Sequence, residues 1–286
     1  MAMRMWKSLV LAVLLGASVC ASVGAREGVD VGERSVFVGA VSAESVEQQA
    51  LLQYRQTLKA AADQHALGPS DNAQVRRLRA IAQKIIPFTG EWNARARQWQ
   101  WEVNLIGSNQ INAFCMPGGK IVFYTGILKT LQLSDDEVAI VMGHEITHAL
   151  REHAREQMGK STATAVGARI GGALLSGWLG IDPRITDSVA RAGANLLTLQ
   201  FGREDETEAD LVGMELAARA GFDPRAGVSL WQKMGAANKN APPQWLSTHP
   251  SDGNRIATME ANLPKVIPLY ERAVRQKASA TEDKVP

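Results

Sequence analysis

The sequence predicts an α+β fold, mostly helical, with a small β-sheet packed beside one central helix. Three observations predict it. Ser134-Asp135-Asp136-Glu137 is a capping box, and the apolar stretch after it supports a long helix over about 135–158. Ahead of that helix, Trp99, Trp101, Val103 and Leu105 alternate with Gln98, Gln100, Glu102 and Asn104, the period of two of a strand over 98–105. Pro117-Gly118-Gly119 then marks a turn, and residues 120–124 make a second short strand stopped by Gly126.

Taken in order, the elements frame this centre. Residues 1–25 run from a basic start (Arg4, Lys7) through an apolar stretch, Leu9 to Leu15, to small residues ending at Val23-Gly24-Ala25. That is the order of a secretory signal peptide cut after Ala25, and it implies export to the periplasm. Cys20 offers the alternative of a lipid anchor, although Val19 is larger than the residue usual before such a cysteine. Residues 26–44 carry no period and read as a poorly ordered lead-in. Residues 45–65 and 73–86 read as helices, the second with Val75, Leu78, Ala82 and Ile85 on one face and Pro87 and Gly90 ending it. Six glycines crowd residues 159–180, the pattern of close helix packing or of a loop near the site. A further helix over 204–220 stops at Gly221, with Pro224 beyond. The main domain is expected at 45–275 and a disordered tail at 276–286.

Composition excludes some functions. The chain has 286 residues, 45% of them hydrophobic and 21% charged, enough for a real core in one or two domains. Arg4 and Lys7 are two of its 31 basic residues, so the chain after residue 25 carries 29 charges of each sign. A neutral body argues against a nucleic-acid partner, since that binding is driven by phosphate neutralisation. Without Cys20, Cys115 has no disulfide partner and reads as a small buried apolar residue. No G-x-S-x-G motif points to a serine nucleophile.

The chemistry gathers on the 135–158 helix. His144-Glu145-Ile146-Thr147-His148 is H-E-x-x-H, and residues four apart share a helix face, so His144 and His148 can present two imidazoles to one metal ion. Glu145 is turned about 100° from His144, where it can hold a water and accept its proton. Glu206-Thr207-Glu208-Ala209-Asp210 follows on another expected helix. Glu206 can complete a two-histidine, one-glutamate shell, and Asp210, on the same face, can accept the free N–H of a ligating histidine. Glu208 is the rival ligand but faces away from Asp210. Gly213 shares the Glu206 face and would let two helices approach closely. His153, five residues after His148, lies off the ligand face of a continuous helix and is expected to make only a polar contact. Such a shell suits one Zn2+ per chain.

These motifs, with Asn112-Ala113-Phe114-Cys115-Met116-Pro117-Gly118-Gly119, Tyr124-Thr125-Gly126 and Thr248-His249-Pro250 followed by Arg255, resemble peptidase family forty-eight of the zinc metallopeptidases over about residues 73–263. The resemblance implies a zincin fold of the gluzincin type and an endopeptidase. Its soluble periplasmic branch, which includes the beta-barrel assembly-enhancing protease, implies polypeptide substrates. Unfolded outer-membrane proteins are candidates, with peripheral association with the outer membrane and a role in envelope quality control. The tetratricopeptide array of that protease has no counterpart in this sequence. The resemblance also nominates His249, and Arg255 with it, as donors to the oxyanion of the tetrahedral intermediate. His249 could instead fill the open metal position and keep the enzyme latent. The stretch around Asn112-Ala113-Phe114 is expected to be an edge strand beside the cleft. Two other readings stand beside the peptidase: a chaperone or binding factor for outer-membrane protein assembly with a latent site, and a metal-dependent hydrolase of a non-peptide bond.

Overall fold

The computed structural model describes residues 26–164, 196–238, 243–250 and 253–282. At its centre lies helix α4 (Asp135–Leu150), buried from Glu137 to Leu150. Its start is fixed by the expected box: Glu137 N–H donates to Ser134 Oγ at 3.2 Å and Ser134 N–H to a Glu137 carboxylate oxygen at 2.9 Å. The sheet has three strands, β1 (Glu102–Ile106), β2 (Ala113–Met116) and β3 (Lys120–Tyr124), in the order β1-β3-β2. β1 runs parallel to β3, pairing Val103 with Ile121, and β2 runs antiparallel to it, pairing Cys115 with Ile121. Among the described residues β2 is therefore an edge strand, and it packs against α4.

Alternation decides what each face of the sheet meets. Val103, Leu105, Ile121 and Phe123 join the main core, built with α2 (Ala73–Ile85), α4 and the later helices. Ile106, Met116 and Val122 point the other way, onto Ala50 and Tyr54 of α1 (Ala43–Asp63). Both faces of β3 are thus covered, which is why Lys-Ile-Val-Phe is buried throughout.

The first strand begins later than its sequence pattern suggests. Residues Ala94–Gln98 form a 3-10 turn capped by the Asn93 side chain. Trp99 and Trp101 precede β1, with their indole N–H groups on Glu47 and the Ala96 carbonyl. Their alternation reflects packing around that turn. Within the expected lead-in 26–44, residues 26–34 carry no regular structure, Val36–Ala40 form a 3-10 turn and α1 begins at Ala43, and the stretch is anchored. Val29 is buried, Arg26 and the Val29 N–H both reach Glu215, and Arg34 pairs with Glu152 at 2.5 Å.

Beyond α4 the expected single helix is broken. Glu152 adopts the left-handed conformation (φ 62°), and a new helix, α5, occupies residues 153–164. A short helix, α3 (Thr125–Thr130), precedes α4. After it come α6 (Arg203–Arg219), α7 (Ala226–Asn238), α8 (Gln244–Thr248) and α9 (Arg255–Glu282). α6 stops at Gly221 (φ 79°), where the sequence places the stop. α9 continues into the expected disordered tail, because Ala, Arg, Gln and Lys over 272–278 are strong helix formers. The signal peptide and Cys20, and residues 165–180 of the glycine-rich stretch, lie outside the described residues. Among the described residues no helix is long and apolar enough to cross a membrane. Cys115 is buried and free, and burial pushes its thiol pKa up, which disfavours the thiolate.

Candidate metal centre

The site is made by two helices that touch backbone to backbone. α4 crosses α6 where Gly143 meets Gly213: a Cβ added to Gly143 would stand 2.6 Å from the Gly213 carbonyl oxygen, and one added to Gly213 would stand 2.6 Å from the His144 nitrogen. Only glycine on both sides allows that approach. It places His144 and His148 of α4 opposite Glu206 and Asp210 of α6.

The spacing of the polar atoms tests whether a metal fits. Ligand atoms at 2.0–2.2 Å from one tetrahedral ion stand roughly 3.3–3.6 Å from one another. Here His148 Nε2 lies 3.1 Å from His144 Nε2, His144 Nε2 lies 3.6 Å from a Glu206 oxygen, and His148 Nε2 lies 3.4 Å from the other. A fourth atom, His249 Nδ1, stands 3.2 Å from His144 Nε2 and 2.9 Å from Glu206 Oε1. All four side chains are buried and their ligand atoms fall within 4.8 Å of each other, a donor set that could hold a metal ion and that suits zinc. Burial and the neighbouring imidazoles hold the His148 pKa well below its usual value, the direction that favours the neutral form a metal needs.

Behind each ring stands a second partner. His144 Nδ1 is 3.0 Å from Asp210 Oδ1, and Arg255 grips Asp210 with two nitrogens at 2.6 Å each. The same guanidinium reaches a Glu206 oxygen at 2.7 Å and lies 3.7 Å over the Trp231 ring. Burial alone would raise the Asp210 and Glu206 carboxyls. Arg255 and His144 outweigh it at Asp210, and His249, His144 and Arg255 outweigh it at Glu206, so both are held as anions. Behind His148 the partner is an imidazole: His153 Nδ1 stands 2.8 Å from His148 Nδ1.

Glu145 lies beside the cluster. Burial raises its pKa, the direction expected of a group that accepts and returns a proton near neutral pH. One of its oxygens accepts the Trp245 indole N–H at 2.5 Å and lies 3.6 Å from His249 Nε2. A cleft opens from this point along edge strand β2, lined by Phe114, Tyr124, His148, Leu197, Phe201 and His249. Phe201 stacks on His148 with ring centres 4.0 Å apart.

The structure thus brings together His144, Glu145, His148, Glu206, Asp210 and His249. Glu208, the rival ligand, turns outward to Arg151 and His153. Arg255, expected as an oxyanion donor, is buried against two carboxylates and an indole, where it anchors Glu206 and Asp210. Sequence reasoning missed Trp245, which no motif marks. It also underrated His153, whose polar contact is to a ligating ring. The only signal for His153 was a third histidine so close to the motif.

The comparisons agree with the geometry. The family model described as peptidase family M48 matches residues 72–263. The chain is similar to the mitochondrial metalloendopeptidase OMA1 of Arabidopsis thaliana, 35% identical over 64% of this chain and 36% of that protein. It is similar to the mitochondrial metalloendopeptidase OMA1 of Homo sapiens, 30% identical over 61% of this chain and 34% of that protein. It is also similar to the beta-barrel assembly-enhancing protease of Escherichia coli, 29% identical over 58% of this chain and 35% of that protein. The chain spans little more than a third of the length of these relatives. They correct one expectation. The expected periplasmic location is contradicted by the matches to proteins named as mitochondrial metalloendopeptidases from plant, animal and yeast.

Proposed function

The chain belongs to peptidase family M48, a family of zinc metallopeptidases, and from that premise we propose that it is an endopeptidase acting on extended segments of misfolded or unassembled proteins. The observation that carries this reading is the set of near-tetrahedral spacings between His144, His148 and Glu206, with Glu145 beside them. Zinc held by those three side chains would supply Lewis acidity, activating a water and polarising the scissile carbonyl.

The rest falls to the chain's own residues. Glu145 takes a proton from the attacking water and returns it to the leaving amine. Among the described residues strand β2 lies at the edge of the sheet beside the cleft, where a substrate backbone can add as another strand. Main-chain pairing reads no particular sequence, which suits quality control of unfolded chains. The name of the Escherichia coli relative supports a link to β-barrel assembly. His249 donates to the oxyanion once its ring leaves the fourth corner of the cluster. Until then it closes that corner, while Trp245 occupies Glu145, an arrangement that favours latency.

Glu145→Gln tests the proposal. The variant is expected to keep one zinc per chain and its fold and to lose casein cleavage by about 10²–10⁴-fold. Cleavage at the wild-type rate would overturn it. The closed fourth corner also supports a second reading, a binding factor with a latent site. It is favoured if Glu145→Gln still performs the cellular role, whereas unchanged cleavage in His249→Ala would count against both the latent corner and the oxyanion role.

A further inference from the structure

We infer that His153 and Glu208 form a relay that orients His148, making His153 a positioning residue for the metal. The inference rests on the reading of His148 as a ligand. Its starting point is the break after α4. On a continuous helix a residue five positions on would project away from His148. Instead Glu152 takes up the left-handed conformation (φ 62°), which a residue with a side chain rarely adopts. Such a residue persists only where its surroundings over-determine it. Arg34 and Arg155 do so, holding the Glu152 carboxylate at 2.5 and 2.8 Å. The turn carries His153 back against His148 and buries it.

The chemistry fixes the direction of the chain of hydrogen bonds. With His148 Nε2 facing the cluster, its Nδ1 carries the proton and donates it across 2.8 Å to His153 Nδ1. His153 accepts there, so its own proton sits on Nε2, which faces a Glu208 oxygen at 3.2 Å. The Arg151 Nε–H holds that same oxygen at 2.6 Å, and another Arg151 nitrogen reaches the Gly32 carbonyl at 3.1 Å. His148 is thereby held in one tautomer and one ring orientation, by a carboxylate acting through a second imidazole. Phe201 stacks on the face of the His148 ring, with centres 4.0 Å apart, and adds to its packing.

The test measures zinc affinity by competition with a chromophoric chelator and the visible absorption of the Co2+-substituted protein, with no reference to cleavage. His153→Phe keeps the volume and removes both nitrogens. It is expected to weaken zinc binding by about 10-fold or more and to change the Co2+ spectrum. His153→Gln supplies one acceptor and one donor, as a neutral imidazole does, and is expected to restore both. Wild-type affinity and spectrum in the Phe variant would overturn the relay. If that variant does not fold, Glu208→Ala decides: at least about threefold weaker binding supports the relay, and unchanged binding overturns it. A wild-type protein that takes up no zinc would overturn the metal reading itself, which separates the two failures.

Discussion

The two histidines of the H-E-x-x-H turn are supported in different ways. Behind His144 a carboxylate touches the ring directly, and Asp210, Arg255 and Glu206 form one buried, charge-paired unit. Behind His148 the ring meets His153, and the carboxylate of Glu208 lies one residue further out, 22% exposed and tied to Arg151. The first arm is built so that a ligand and its partner share one cation. Damage there strands buried charge. The second arm passes its charge through a neutral ring toward solvent, where water can replace part of what is lost. The difference teaches that ligand geometry and fold stability are joined on one side of this centre and largely separable on the other.

The harshest way to break the comparison is Arg255→Leu. It leaves Asp210 and Glu206 as buried carboxylates without their counter-charge, and the metal-free protein should lose about 3–5 kcal/mol in urea unfolding. No change larger than 1 kcal/mol would mean that the first arm is not the structural one. Gly213→Ala strikes the crossing that both arms depend on. Its new methyl meets the His144 backbone at 2.6 Å, so the helices must separate, and a loss of about 1–3 kcal/mol together with weaker zinc binding is expected. Asp210→Asn keeps the shape of the first arm and removes its charge. Zinc affinity should fall about 10–100-fold by chelator competition. Glu208→Gln is the matching change in the second arm and should act least, a few-fold in zinc affinity with stability within about 0.5 kcal/mol of wild type. Equal effects of the last two substitutions would erase the asymmetry.

What could be read from the sequence divides along the same line. Local spacing was enough for the capping box at Ser134 and Glu137, for His144 and His148 on one face, and for Gly213 as a point of close approach, because each follows from helix geometry. Glu206 and Asp210 were legible because a metal shell needs a carboxylate and a histidine needs an acceptor. The second arm was hidden. Glu152 is neither Gly nor Pro, and its left-handed conformation is fixed partly by Arg34, 118 residues away in the chain. Without that break His153 seemed to point elsewhere. Arg255 could be placed near the site but not aimed, since its partners come from another helix. Trp99 and Trp101 imitated a strand while packing around a turn, and Trp245 reaches Glu145 across 100 residues with no motif to announce it.

The central claim is that one metal ion sits between α4 and α6. Anomalous diffraction at the zinc absorption edge, from crystals of zinc-loaded protein, tests it most directly. The account predicts one peak per chain, about 2.0–2.2 Å from His144 Nε2, His148 Nε2 and a Glu206 oxygen. A peak held by other residues, or none between these helices, would contradict it.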